Sequence, residues 1–185
     1  MELITLKNKD NVKLIKDLII YPLRVNQDES GGILVETLRK DWKEIYGPSR
    51  DFSMQYFSVT DSGIARDENV WHHHPNYQED RFLLAGGEVV VAVADNREGS
   101  DTKGLLNLFY MKAYDEPYII LIPKGTLHGF MVVSKEPAIL LNYPTGLYDQ
   151  KEEGRVSYEE AQIKNNDGTL FSWDRVRKEF PNLSS

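Results

Sequence analysis

Short runs rich in β-branched and aromatic residues recur along the chain with turn signals between them, a pattern of antiparallel strands rather than of helix-alternating folds. The strands it predicts are Val12 to Tyr21, Ile33 to Leu38, Phe52 to Thr60, Arg81 to Ala85, Glu88 to Ala94, Leu105 to Lys112, Tyr118 to Ile122, His128 to Val133 and Ala138 to Tyr143. Their separators, among them Asp28 to Gly32, Gly86-Gly87, Asp95 to Gly104, Lys124-Gly125 and Ser134 to Pro137, are rich in Gly, Pro, Asp and Ser. Nine strands at this spacing predict an all-β, closed or nearly closed barrel. Two helical pieces are expected to flank it. Leu38, Trp42 and Ile45 share one face, and Trp173, Val176 and Phe180 share another before Pro181 stops the turn. No internal repeat or linker divides the chain, so residues 1 to 185 are expected to form a single domain.

The 185 residues with 41% apolar content are enough to bury a core without covalent staples. The chain has no cysteine, which excludes disulfides, thiolate metal sites and a Cys nucleophile and fits a reducing cytoplasm. The opening residues, Met1 to Asp17, mix charged with apolar positions and contain no run long enough for a signal peptide or a membrane span. A formal charge of −7 repels nucleic acid and anionic membranes. Any bound nucleotide is therefore expected to be small and held by a few local arginines.

All four histidines fall in two segments, Trp71-His72-His73-His74 and His128 within Ile122 to Phe130. On a strand His72 and His74 point to one side and His73 to the other. The ordinary reading is a solvated edge and a hydrogen-bonded core histidine. The wider spacing points elsewhere. His72-x-His74-x4-Glu79-x6-Gly86, followed by Pro123-x-Gly125-x2-His128, resembles the two signature motifs of the cupin superfamily, whose fold is a jelly-roll β-barrel or sandwich. In metal-binding cupins the matching residues, here His72, His74, Glu79 and His128, would hold one divalent ion such as Fe, Mn, Ni or Zn.

A narrower resemblance runs from about Asp28 to Trp173. Asp28 to Glu36, Met54-Gln55 with Ser58, Gly87 to Arg97 with Ser100-x-Thr102-x-Gly104, Ile122 to Phe130, and Tyr148 with Glu153-Gly154 are similar, in order, to segments of the dTDP-4-dehydrorhamnose 3,5-epimerase family. The resemblance implies proton abstraction next to the keto group of a nucleotide-linked 4-keto-6-deoxy sugar, with no cofactor consumed. It implies His72 as the base, a role suited to imidazole, and Tyr148 as a second catalytic or substrate-contacting group. Glu36, Gln55, Arg66, His74, His128 and Asn142 are the implied substrate-binding residues, Arg66 as a bidentate phosphate ligand. The implied assembly is a homodimer.

Two positions depart from the family pattern: its lysine falls at Asp80 and its proton-donating tyrosine at Asn142, while the residue two after the base is His74 rather than Gln. That combination, with Gln78-x-Asp80, resembles a divergent W-H-x-H branch. Trp71 is expected to line the barrel and Asp174 to complement a helix dipole. Two other functions stay open at this point: a metal-dependent isomerase or dioxygenase using the four cupin ligands, and a non-catalytic sugar-nucleotide binding protein.

Overall fold

The computed structural model describes residues 1–181. Its strands, in chain order, are β1 (Ile19–Pro22), β2 (Val25–Gln27), β3 (Ile33–Val35), β4 (Tyr56–Thr60), β5 (Ala65–Arg66), β6 (Val70–His73) and β7 (Asp80–Gly86). They continue with β8 (Glu88–Ala94), β9 (Leu106–Lys112), β10 (Tyr118–Ile122), β11 (Leu127–Val132), β12 (Ala138–Asn142) and β13 (Gly154–Ser157). Two short helices follow, α1 (Tyr158–Ala161) and α2 (Trp173–Glu179).

One sheet runs β1-β10-β7-β12-β4 and the other β13-β6-β11-β8-β9, with β5 also on β11 and β2-β3 forming a separate ribbon. The pairings within the two large sheets are antiparallel. This is an all-β jelly-roll sandwich of cupin type with short flanking helices. Period-two alternation supplies its core: Phe82 and Leu84 on β7, Val89, Val91 and Val93 on β8, Ile120 and Ile122 on β10, Phe130 and Val132 on β11, and Leu140 on β12 pack as one cluster.

Toward one end the same inward columns turn polar. Asp80 stands two residues before Phe82, His128 two before Phe130, and Asn142 two after Leu140, all of them buried. Each forgoes the roughly 1.5–3 kcal/mol that a buried Val, Leu or Phe would contribute. Such a substitution of polar for apolar groups lowers stability and marks a site.

The outer faces are covered separately. Trp71, Val90, Ala92 and Met131 pack beneath Tyr158, Phe171, Trp173 and Val176 on the second sheet. On the first sheet, Leu83, Ile119 and Leu121 pack against Leu23, Ile45 and Tyr46. Trp71 therefore belongs to this outer core, its ring 4.6 Å from that of Phe171, and does not line the barrel interior.

Most long strands lie within a residue or two of the sequence expectation, but the short β2, β5, β6 and β13 are not among the nine expected, Ile33 to Leu38 is strand only to Val35, and three further segments differ. Val12 to Leu18 is not strand, because side chains take its backbone donors: Ile15 N–H goes to Asn107 Oδ1 (2.9 Å) and Lys16 N–H to Thr102 Oγ1 (3.0 Å). The helix expected over Leu38 to Ile45 is a set of turns, with Tyr46 N–H bonded to the Trp42 carbonyl (2.8 Å) just before Gly47-Pro48. Residues 51–55 are irregular, so strand β4 starts only at Tyr56. Among the described residues no helix is long and apolar enough to cross a membrane.

Candidate active site

The polar end of the sandwich opens into a cavity of about 330 Å³ lined by Tyr56, His72, His74, His128, Tyr148 and Glu153, with Arg66 and Arg155 exposed at its rim. Strand alternation explains who faces it. On β6, His72 points inward with Trp71 and His73 outward, and on the β4 side Met54, Tyr56 and Ser58 share the inward face. The rings of His72 and His74 lie 4.7 Å apart, and that of His128 lies 5.1 Å from His72.

The stretch from the last residue of the 3-10 turn Gln150–Glu152 into β13 backs His72 and His74, and each of its three consecutive residues has a separate task. The buried Glu152 carboxylate accepts from Asn76 N–H (2.6 Å) and Tyr77 N–H (2.8 Å), which fixes the loop after His74. Glu153 meets His72 Nε2 at 2.8 Å. Gly154 lies opposite His73 in the β13–β6 ladder, where a Cβ would fall 2.1 Å from the His73 ring nitrogen. A larger residue there would require the His73 ring to move aside.

Deeper in, Asp80 is 2% exposed and surrounded by donors: Asn142 Nδ2 (2.7 Å), Gln78 Nε2 (3.1 Å) and the ring of His74 (3.0 Å), with His128 Nε2 at 3.4 Å. Burial alone would raise its carboxyl, but the His74 bond, the charges of His128 and His74 and the Asn142 bond hold it well below the usual range. His74 gives its Nδ1 to the Glu152 carbonyl (3.1 Å) and its Nε2 to Asp80. Burial lowers its pKa, yet the Asp80 bond and charge win, and it ends raised. His128 is pulled the other way, down to about 3, by burial first and then by the neighbouring histidines, against the pull of Asp80. Of this pair His74 lines the cavity, its Nε2 also 3.0 Å from Gln78 Nε2, and Asp80 lies behind it.

Of the residues expected from sequence, the fold brings His72, His74, His128, Arg66 and Tyr148 together around the cavity, with Asn142 directly behind it. Glu36 is not among them. It sits on the exposed segment after β3 and pairs with Arg39 (2.9 Å). Gln55 is exposed and absent from the lining, because its neighbours at 54 and 56 take the inward positions. Glu79, the expected fourth metal ligand, faces away and pairs with Arg50 (2.6 Å), since Asp80 holds the inward phase with Phe82. Asp174 is exposed and pairs with Arg177 (3.0 Å). Residues not expected from the sequence are Tyr56, Glu153 as partner of His72, and Arg155, whose Nε lies 3.3 Å from Asp67.

The cupin metal set is therefore not assembled. His72, His74 and His128 have ring nitrogens within 4.8 Å of one another. However, Glu79 is turned outward, and both nitrogens of His74 are already bonded to protein oxygens. These residues do not fit a four-ligand metal centre.

A jelly roll whose inward face ends in a histidine cluster, with a histidine–carboxylate pair and arginines at the rim of its cavity, has the architecture of a cupin-type enzyme. The family model described as dTDP-4-dehydrorhamnose 3,5-epimerase matches residues 13–175, and the chain belongs to that family. A probable low-salt glycan biosynthesis epimerase of Haloferax volcanii is 38% identical over 147 residues, covering 78% of this chain and 89% of that protein. A spore coat polysaccharide biosynthesis protein of Bacillus subtilis is 29% identical over 149 residues, covering 80% of this chain and 93% of its own. Among solved structures, the dTDP-6-deoxy-D-glucose-3,5-epimerase of Legionella pneumophila in complex with dTDP-4-keto-L-rhamnose superposes with a TM-score of 0.71. It is 26% identical, with 83% of this chain and 80% of that one covered.

Proposed function

We propose that this chain epimerises a nucleotide-linked 4-keto-6-deoxy sugar on the way to a surface polysaccharide or glycan, with His72 as the base. The observation that carries this is the His72–Glu153 pair at 2.8 Å, set in a cavity of about 330 Å³ with Arg66 and Arg155 at the rim. The carboxylate orients the imidazole and stabilises it once it has taken the proton next to the carbonyl. The two guanidiniums suit a diphosphate. Tyr148 at the rim and His128 and Asn142 further in contact the sugar nucleotide. His74, backed by Asp80, places positive charge where the enolate oxygen develops. The reaction needs no cofactor.

In this reading the chain works as one domain, as a homodimer, in the cytoplasm, and without nucleic-acid or membrane partners. The supports are the absence of cysteine, the charge of −7 and the exposed apolar side chains of β4.

The test is incubation in D₂O with a nucleotide-linked 4-keto-6-deoxy sugar. Deuterium is expected next to the carbonyl together with an epimeric product, and His72→Asn is expected to slow both by about 10²- to 10⁴-fold. Exchange that survives in His72→Asn and vanishes with a chelator would overturn the reading and favour a three-histidine metal site.

A further inference from the structure

The cavity contains a phenol, Tyr56, on the strand next to that of the buried Asn142. Tyr56 of β4 is the ladder partner of Asn142 on β12, and its Oη lies 2.9 Å from Asn142 Nδ2. We infer that Tyr56 is the group that returns a proton to the sugar carbon on the face opposite His72, an assignment that rests on the epimerase reading above.

The hydrogen-bond pattern around Asn142 settles which way the phenol can act. The side-chain carbonyl of Asn142 accepts the backbone N–H of Arg81 (3.0 Å), so the amide cannot be turned over without losing a buried bond. Its Nδ2 group then spends one hydrogen on Asp80 Oδ1 (2.7 Å) and the other on Tyr56 Oη (2.9 Å). Tyr56 Oη is an acceptor in that contact. Among the described residues no acceptor takes its own hydrogen, which is left for a ligand in the cavity.

The placement is also right for inversion. Tyr56 belongs to the sheet β1-β10-β7-β12-β4 and His72 to the facing sheet β13-β6-β11-β8-β9, so a sugar ring held between them is flanked from two sides. The phenol keeps its proton at neutral pH. Burial of its hydroxyl end and the charge of Asp80 push it up to about 12. Tyr56 as a whole is 44% exposed, but its hydroxyl is held on the buried Asn142, whereas Tyr148, the other tyrosine of the cavity, is 69% exposed at the rim.

The chemistry balances without a co-reactant. His72 removes the proton, the C–H electron pair moves toward the carbonyl to give the enolate, and the carbon takes the phenolic proton from the other face as the carbonyl re-forms. The imidazolium then gives its proton to water and the phenolate takes one back.

The experiment separates exchange from inversion. In D₂O with a nucleotide-linked 4-keto-6-deoxy sugar, Tyr56→Phe is expected to keep His72-dependent exchange with retained configuration, while epimer formation drops about 10²-fold or more. A melting curve like that of the wild type shows that the fold is kept. Replacing Tyr56 by 3-fluorotyrosine, a more acidic phenol of the same shape, is expected to move the alkaline limb of epimerisation to lower pH. Epimerisation by Tyr56→Phe within about 3-fold of wild type overturns the assignment. So does equal loss of exchange and epimerisation, which is what a merely structural role produces. Wild-type protein that neither exchanges nor epimerises overturns the proposed function itself, and this assignment with it.

Discussion

Asp80 and Asn142 stand where the resemblance to the family implies a lysine and a tyrosine, and a hydrogen bond of 2.7 Å joins them. A carboxylate at 80 is tolerable in the interior only with donors on every side, and a phenol at 142 could not supply the amide that bridges Asp80 and Tyr56. The same cluster sets a pH dependence of stability. His128, pulled down to about 3, binds its proton less readily folded than unfolded, so its contribution is complete above its usual 6.5 and is lost as pH falls from there toward 3. Asp80, held low, also loses its contribution on acidification. His74, held high, works in reverse and loses its contribution as pH rises through its folded value. Urea unfolding is expected to weaken on the acid side of neutrality by up to about 1.4 kcal/mol per pH unit from His128. His128→Gln should flatten that slope, and parallel slopes in the two proteins would contradict the account.

Elements here are held in place by buried charges as much as by their ladders. Asp95, at the end of β8, is 0% exposed and accepts from Arg97 Nε (2.9 Å), Ser100 Oγ (2.6 Å) and Thr102 Oγ1 (2.6 Å). The motif with Arg97, Ser100, Thr102 and Gly104 is thus a wrapping of the β8–β9 turn around one carboxylate, away from the cavity. Thr102 Oγ1 also receives Lys16 N–H (3.0 Å), which ties the N-terminal segment to the same turn. Asp95→Ala strands these donors and is expected to cost about 3 kcal/mol in chemical denaturation. A loss under about 1 kcal/mol would show that water replaces the carboxylate.

The long strands were legible because β7 to β12 carry unbroken alternation or apolar runs, and the histidine side of the site followed from their parity. Of the three expected residues that lie away from the cavity, Glu36 sits on the exposed segment after β3, while Gln55 and Glu79 are slips of one residue, which on a strand reverse the face. Gln55 was expected where Tyr56 stands, and Glu79 where Asp80 stands. The correcting signal was in the chain: Ser58 and Met54 are in phase with Tyr56, and Phe82 and Leu84 with Asp80. Strand β13, with Arg155, is four residues long and offers no period to read. Its place is set by pairing with β6, from Gly154 opposite His73 to Ser157 opposite Val70, residues far apart in sequence.

At the scale of the whole molecule, the strand that carries Tyr56 inward shows an apolar outer face. Phe57 is 65% exposed, Val59 56%, and Ile139, the ladder partner of Val59 on β12, 38%. Strand β4 ends its sheet, so its outer backbone edge, unpaired among the described residues, adds to that apolar surface. A second copy of the chain laid against this face would bury these side chains and, in doing so, hold β4 and Tyr56 against the cavity. Light scattering coupled to size exclusion is expected to give twice the mass of one chain at micromolar concentration. Val59→Glu, which places a charge in the centre of the patch, should yield monomers, since burying an unpaired carboxylate costs more than the contact gains. Because β4 positions the proposed donor, those monomers should lose epimerisation more than exchange, as in Tyr56→Phe, whereas wild type that is monomeric and fully active would remove the link between assembly and site.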